Sequence, residues 1–209
     1  MRIKVCGLTR RKDVELCCRL GIDALGFIFA DSPRQVSLEK VEELTSGIPP
    51  FVSKVAVVMN PEEEQLEGII ESGLFDYIQF HGEEDPDMIA EIPLFTLKAI
   101  SVGQNAVVDK LQSSIEKYEE ADFYLFDSKV GKQKGGTGKS FNWDIFNKLN
   151  IRKPFILAGG IGPDNLEEAV NKLDMVGLDI NSKIEVEPGI KDHDLLMKTI
   201  NFLRKINMF

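Results

Sequence analysis

The chain has 209 residues, 43% hydrophobic and 28% charged, which suits one globular domain with a full core. Its formal charge is −9 with no basic block, which argues against a nucleic-acid or membrane-surface partner. Three Cys with two adjacent make no disulfide framework, no apolar run is long enough to span a bilayer, and no secretory signal is evident, so a cytoplasmic protein is expected.

The opening residues Arg2-Ile3-Lys4-Val5-Cys6 alternate with the period of a strand, and Gly7 breaks it. Cys6 then sits at the strand's C-terminal tip with Lys4 on the same face, and Thr9 is expected to cap the next helix. Cys6 reads either as a small buried hydrophobe or as a reactive group at the edge where α/β proteins build chemistry. Val14, Cys17, Cys18 and Gly21 mark one helix face, so Cys17 and Cys18 are expected in packing. Asp23 to Phe29 is a strand apolar on both faces, as buried parallel strands are, and its loop carries Arg34. Ser37 opens a helix through Val41 and Leu44, stopped by Gly47 and two prolines.

The alternation then repeats. Phe51 to Val58 is a strand, and Asn60-Pro61 starts a helix with Leu66, Ile69, Ile70 and Gly73 on one face. Asp76 to Phe80 is a strand followed by His81-Gly82, and a short helix runs near Asp87 to Glu91. Leu94 to Ile100 is a strand, Val108, Leu111, Ile115 and Tyr118 mark a helix, and Asp122 to Asp127 is a strand ending on an acid. A Lys- and Gly-rich loop runs from Ser128 to Phe141, and a helix starts near Asn142. Phe155 to Ala158 is a strand ending in Gly159-Gly160, with a helix through Leu166, Ala169, Val170 and Leu173. Met175 to Asp179 is the last strand. A loop with Asn181-Ser182 and Glu187-Pro188-Gly189 leads to a helix over Asp192 to Lys205.

Eight strand–helix alternations in this length fit an α/β chain folded as a single (β/α)8 TIM barrel better than an open doubly wound sheet. The loops after the strands line one mouth of such a barrel. Those strand ends carry Cys6, Arg34, His81, Asp127, Gly159-Gly160-Ile161, Asp179, Asn181 and Ser182.

Gly159-Gly160 sits before a helix expected near Pro163-Asp164, where backbone N–H groups and the helix dipole can meet an anion. With Asn181-Ser182 after the eighth strand, the pair forms the place where barrels often hold phosphate, though a glycine pair alone also makes a tight turn. Gly135-Gly136-Thr137-Gly138-Lys139-Ser140 is no P-loop, because Gln133 stands where the pattern needs Gly, and a loop folding over the ligand is expected instead. Arg34 suits a carboxylate by its planar fork, or is a surface arginine. His81 and His193 are the only histidines and no short-spaced ligand set exists, so no metal site is expected. Asp127 ends an apolar run, where a carboxyl can serve as an acid, or as a loop-ordering group. The eighth strand closes against the first, so Lys4 is expected to pair with an acid such as Asp179 inside the barrel, and to lower the Cys6 thiol.

Lys4-Val5-Cys6-Gly7-Leu8-Thr9, Ser32-Pro33-Arg34, Gln79-Phe80-His81-Gly82, Gly135-Gly136-Thr137-Gly138, Leu157-Ala158-Gly159-Gly160-Ile161 and Pro188-Gly189-Ile190-Lys191-Asp192 together resemble phosphoribosylanthranilate isomerase, end to end and in the family's order. The resemblance implies an Amadori rearrangement in tryptophan biosynthesis, without metal or organic cofactor, on a small phosphorylated substrate. By position, Cys6 matches the general base, Asp127 the general acid, Arg34 the holder of the anthranilate carboxylate, and Gly159, Gly160 and Ser182 the phosphate turns. His81, Asp179 and Asn181 join the substrate-binding set by their place at strand ends. Gln35, Asn181 and Phe80 depart from the residues common in the family without removing a chemical role. A monomer or homodimer is expected. Two other readings stand beside this one: the related aminoaldose isomerase of histidine biosynthesis, which normally uses two acids, and a non-catalytic ligand-binding or redox-sensing barrel built on Cys6.

Overall fold

A computed structural model describes residues 1–103, 105–127, 143–162 and 165–206. Eight parallel strands close into a barrel: β1 (Arg2–Val5), β2 (Ala24–Ile28), β3 (Ser53–Val58), β4 (Tyr77–Phe80), β5 (Phe95–Ser101), β6 (Phe123–Asp127), β7 (Phe155–Ala158) and β8 (Gly177–Ile180). Each strand pairs with its neighbours in chain order, and β8 returns to β1 with Lys4 opposite Asp179. Around it lie α1 (Arg11–Arg19), α2 (Leu38–Thr45), α3 (Glu63–Glu71), α4 (Pro86–Ala90), α5 (Val108–Lys117), α6 (Leu166–Lys172) and α7 (His193–Lys205).

Local chemistry sets several helix starts. The Ser37 hydroxyl accepts from the Lys40 N–H ahead of α2, and Asp192 accepts from the Leu195 N–H ahead of α7. Thr9 does not cap α1; its hydroxyl donates to the Gly189 carbonyl, tying the β1 loop to the far end of the chain. After β6 the described connection is a 3-10 helix at Trp143–Lys148 rather than an α-helix. The loop expected after β8 holds a small antiparallel hairpin, β9 (Glu185–Glu187) and β10 (Ile190–Lys191).

Period-2 alternation sorts the strand residues into two layers. Outward residues such as Phe27, Val58, Ile78, Phe126 and Leu178 pack against helix residues such as Leu16, Leu44, Leu66 and Leu196 in one large core. The barrel interior holds Val55, Val57, Leu97, Ala99, Leu125 and Ala158, with Lys4, Gln79 and Asp179 buried among the polar positions.

One buried polar knot fixes the loop after β4. The Lys98 Nζ lies 2.8 Å from Glu84 and donates to the Gly82 carbonyl at 2.5 Å. Glu84 in turn accepts from the backbone N–H groups of Gly82 at 2.7 Å and Asn60 at 3.1 Å. Burial would push Glu84 up, but Lys98 and the Asn60 N–H outweigh it and hold the carboxyl below its ordinary range. A second knot centres on buried Asp13, which receives the Arg10 guanidinium, the Lys191 N–H and the His193 ring, joining α1, β10 and α7. Among the described residues no helix is long and apolar enough to cross a membrane.

Candidate active site

Cys6 follows β1 directly, and its N–H donates to the Ile180 carbonyl at the end of β8. Its side chain faces the barrel interior above Lys4. A Cβ on Gly26 of β2 would lie 2.8 Å from the Cys6 sulfur and 3.1 Å from the Lys4 Nζ, so bare glycine is what lets thiol and ammonium share this space. Lys4 donates to Asp179 at 2.8 Å, and both side chains are nearly sealed from solvent at 3% and 7% exposure. The expected Lys4–Asp179 pair is present.

Lys4 pulls the Cys6 thiol down as expected, but it does not set the net direction. Burial pushes Cys6 up most, Lys4 and Lys191 pull it down, and the Asp179 carboxylate pushes it up again. The net direction is upward, so the free protein holds a neutral thiol rather than a lowered one. Cys17 is pushed by burial to about 12, in keeping with a packing role.

Asp127 ends β6 and is buried at the mouth. The His81 Nε2 lies 3.2 Å from its Oδ2, while Gln79 donates from Nε2 to the His81 Nδ1 at 3.0 Å. With Nδ1 accepting, a neutral ring carries its proton on Nε2, facing Asp127. His81 is the solvent-facing member at 32% exposure. Gln79, which sequence reasoning quoted but gave no role, is therefore the group that orients His81. Its Oε1 is buried without a hydrogen-bond partner among the described residues.

Gly159 and Gly160 both take left-handed backbone angles, φ 78° and 63°, which side chains rarely adopt. The Asn165 side chain braces the turn, accepting from the Gly162 N–H and donating to the Gly160 carbonyl. Pro163-Asp164 and the loop from Ser128 to Phe141, with its Gly135-Gly136-Thr137-Gly138 run, lie outside the described residues. Opposite the glycine turn, Ser182 begins a 3-10 turn after Asn181.

These pieces meet. One cavity of about 60 Å³ is lined by Cys6, His81, Asp127, Gly159, Gly160, Asp179, Asn181 and Ser182, together with Gln79 and Lys183. Of the predicted site residues only Arg34 lies outside that lining. Lys183 was missed because a lone lysine in a loop carries no sequence signal; its stem packs against Gly162, where a Cβ would lie 3.2 Å from it.

Arg34 reaches the same mouth by crossing Gly7, whose Cβ would lie 2.7 Å from the Arg34 Cδ. Its fork is not open as expected. Nε and Nη2 donate to Glu185 at 2.9 and 2.5 Å, so a second carboxylate meets the guanidinium at its remaining edge, by Nη1 and the second Nη2 hydrogen. Glu185 also receives the Lys191 Nζ at 2.8 Å. Burial pushes Glu185 up, but Arg34 and Lys191 outweigh it and hold the carboxyl below its ordinary range.

A larger cavity, about 470 Å³, opens at the opposite end of the barrel among Tyr77, Leu97, Phe123, Ile156 and Leu178. None of the predicted site residues lines it. Its walls are mainly apolar, with Arg2, Lys4, Asp23 and Ser53 among them, whereas the small mouth cavity gathers the groups able to move protons and hold anions.

A family model described as N-(5′-phosphoribosyl)anthranilate (PRA) isomerase matches residues 3–202. The chain is 47% identical to the N-(5′-phosphoribosyl)anthranilate isomerase of Petrotoga mobilis, covering 100% of this chain and 99% of that one. It superposes with a TM-score of 0.86 on the phosphoribosyl anthranilate isomerase of Thermotoga maritima, at 29% identity over 98% of this chain and 99% of that one. A second similar structure, at TM-score 0.83 and 26% identity over 98% and 99% of the chains, holds phosphoribosyl anthranilate isomerase in complex with reduced 1-(o-carboxyphenylamino)-1-deoxyribulose 5-phosphate.

Proposed function

The chain belongs to the N-(5′-phosphoribosyl)anthranilate isomerase family, and on that premise we propose that it rearranges N-(5′-phosphoribosyl)anthranilate to 1-(2-carboxyphenylamino)-1-deoxyribulose 5-phosphate in tryptophan biosynthesis, with Asp127 as general acid and Cys6 as general base. The observation that carries this reading is the gathering of Cys6, Asp127 and the two phosphate turns on one small cavity. The whole chain serves as one catalytic barrel, working as a monomer or homodimer on a small phosphorylated substrate.

The chemistry is an internal redox change: the aldose carbon is reduced as its neighbour is oxidised, so no outside oxidant is called for. Asp127 protonates the ring oxygen, and the anilino nitrogen pushes the furanose open to a protonated Schiff base. Cys6 removes the proton from C2′, giving an enolamine that tautomerises to the ketone. The phosphate sits between Gly159-Gly160 and Asn181-Ser182, where backbone N–H groups can meet it. The anthranilate carboxylate meets the Arg34 Nη1. Asp179 acts through Lys4, which it holds beneath the thiol. His81 closes the other side, beside Asp127.

The test is direct. Purified protein mixed with freshly made phosphoribosylanthranilate should quench its fluorescence with enzymatic kinetics, with or without a chelator. Fluorescence loss no faster than in buffer overturns the reading. Turnover abolished by a chelator and restored by a divalent metal overturns the metal-free mechanism.

A further inference from the structure

We propose that Glu185 is a positioning residue that couples the carboxylate-binding and phosphate-binding ends of the site, and so sets the spacing of the two anionic groups a substrate must carry. This rests on the functional reading above and goes beyond it, because Glu185 is assigned no contact with the reacting atoms.

A continuous chain of side chains runs across the mouth. Arg34 donates by Nε and Nη2 to Glu185. Lys191 donates by Nζ to Glu185 at 2.8 Å and to the Asn181 Oδ1 at 2.9 Å. Asn181 opens the turn assigned to phosphate. Glu185 is further pinned by the Gly189 N–H at 3.2 Å. Gly7 is the crossing point: its Cβ would collide with both the Arg34 Cδ, at 2.7 Å, and the Asn181 Oδ1, at 2.9 Å. The two anion-binding arms therefore lie side by side over one glycine, joined through one carboxylate.

Burial argues that the link serves geometry. The side chains of Glu185 and Lys191 are 3% and 0% exposed, and Arg34 is 15% exposed. Removing such charges from water costs several kcal/mol per ion, so a buried network of this kind is a weak source of stability compared with apolar packing. What it does supply is fixed position. Two cations about one carboxylate leave a net charge of +1 facing the mouth, and Arg34 cannot swing because its fork is engaged. A substrate carboxylate then finds Nη1 in one place only, at a distance from the Asn181 turn set by Glu185 and Lys191.

The decisive variant is Glu185→Gln, which keeps the side-chain length and an acceptor but removes the charge holding both cations. Three quantities are measured: steady-state kinetics with phosphoribosylanthranilate, and calorimetric affinities for anthranilate and for inorganic phosphate separately. The expected result is KM raised about tenfold or more with kcat within about threefold, since uniform binding is lost. Both probes should bind at least about threefold more weakly, from the loss of charge-assisted hydrogen bonds at each end. If only anthranilate weakens, Glu185 serves Arg34 alone and the coupling is overturned. If kcat and thermal midpoint fall while both affinities hold, its role is structural and the inference is likewise overturned. Should Glu185→Gln fail to fold, Lys191→Met cuts the same link while leaving the Arg34–Glu185 fork. Phosphate should then weaken more than anthranilate, and unchanged phosphate affinity overturns the inference. Wild-type turnover in the same series separates this from the functional reading. Its absence overturns that reading, while the two binding measurements still decide the coupling.

Discussion

The Lys4 Nζ lies 2.8 Å from Asp179 inside the barrel, directly beneath the Cys6 thiol, and the cation is therefore shared between a carboxylate and a sulfur. Burial alone would pull Lys4 down, but Asp179 and Cys6 outweigh it and the ammonium is held charged. A charged Lys4 favours thiolate; the charged partner that keeps it there opposes thiolate. The pair thus fixes a positive group under Cys6 while cancelling much of its field.

Lys4→Met should raise the Cys6 thiol further above its ordinary range. The readout is the pH dependence of iodoacetamide alkylation, followed on the Cys6 peptide so that half-buried Cys18 does not contribute. Lys4→Met alone leaves Asp179 as an unpaired buried carboxylate, so Lys4→Met with Asp179→Asn is the cleaner comparison. The double variant should still react more slowly at neutral pH than the wild type. Equal alkylation profiles would show that Lys4 has no electrostatic hold on the thiol.

Arg34→Lys should raise KM about 10- to 100-fold, the range expected when charge-assisted hydrogen bonds worth about 1.5–3 kcal/mol are lost. Lysine keeps the charge but cannot bind Glu185 through a fork and present a further N–H outward. Inhibition by anthranilate should weaken more than inhibition by inorganic phosphate. Equal weakening of both would place the substrate carboxylate elsewhere.

Lys98→Met should destabilise the fold by about 3–5 kcal/mol, because it leaves Glu84 buried without its cation. The same carboxyl shapes the acid limb of stability. Glu84 and Glu185 are both held below their ordinary range in the fold, so in acid the unfolded chain binds more protons than the folded one. Their contribution is present above about pH 4.3 and is lost as pH falls through their lowered values. Urea midpoints measured from pH 7 downward should drop below about pH 4.5, and the drop should be shallower in Glu84→Gln with Lys98→Met. An identical slope in that double variant would remove Glu84 from the account.

The sequence exposed the strand tips well because each tip joins a period-2 run to a glycine or a polar break. The Lys4–Asp179 pair was legible for the same reason: parity places Lys4 inward, and closure of a barrel brings the eighth strand beside the first. The hairpin of Glu185–Glu187 with Ile190–Lys191 was not legible, since strands of three and two residues carry no periodicity. Nothing in the sequence therefore marks Glu185 and Lys191 as the groups that engage Arg34 and Asn181. Thr9 stood one residue too early to cap a helix that starts at Arg11, and Gly189 lies near it only through the tertiary fold. The net direction of the Cys6 thiol is not legible, because the signs of its neighbours can be read from sequence but the weight of burial cannot.

That direction changes the expected pH behaviour of catalysis. The proposed mechanism needs Asp127 protonated and Cys6 deprotonated, the reverse of the order in which free Asp and Cys lose their protons, at about 3.9 and 8.5. In such a reversed pair the bell-shaped profile of kcat/KM still has two limbs, and the alkaline one belongs to the group with the higher value. Burial has pushed Cys6 up, so the alkaline limb should fall above about pH 8.5 rather than near neutrality. Each further unit of separation between the two groups lowers the competent fraction about tenfold. The protonated Schiff base offsets this when it forms, since a cation beside the sulfur favours thiolate. Lys191, which also pulls the thiol down, works in the same direction in the free protein. Cys6→Ser and Asp127→Asn should each lower kcat by about 10²–10⁴-fold, the usual worth of a positioned proton-transfer group. A hydroxyl is a far weaker proton acceptor than a thiolate, and an amide cannot give the ring oxygen its proton. The profile of the Asp127→Asn variant should keep only the thiol's ionisation, with activity rising toward alkaline pH instead of passing through a maximum. Cys6→Ala with near-normal turnover would remove the thiol from the role of base, and a wild-type alkaline limb at neutral pH would show that burial does not set the thiol's ionisation.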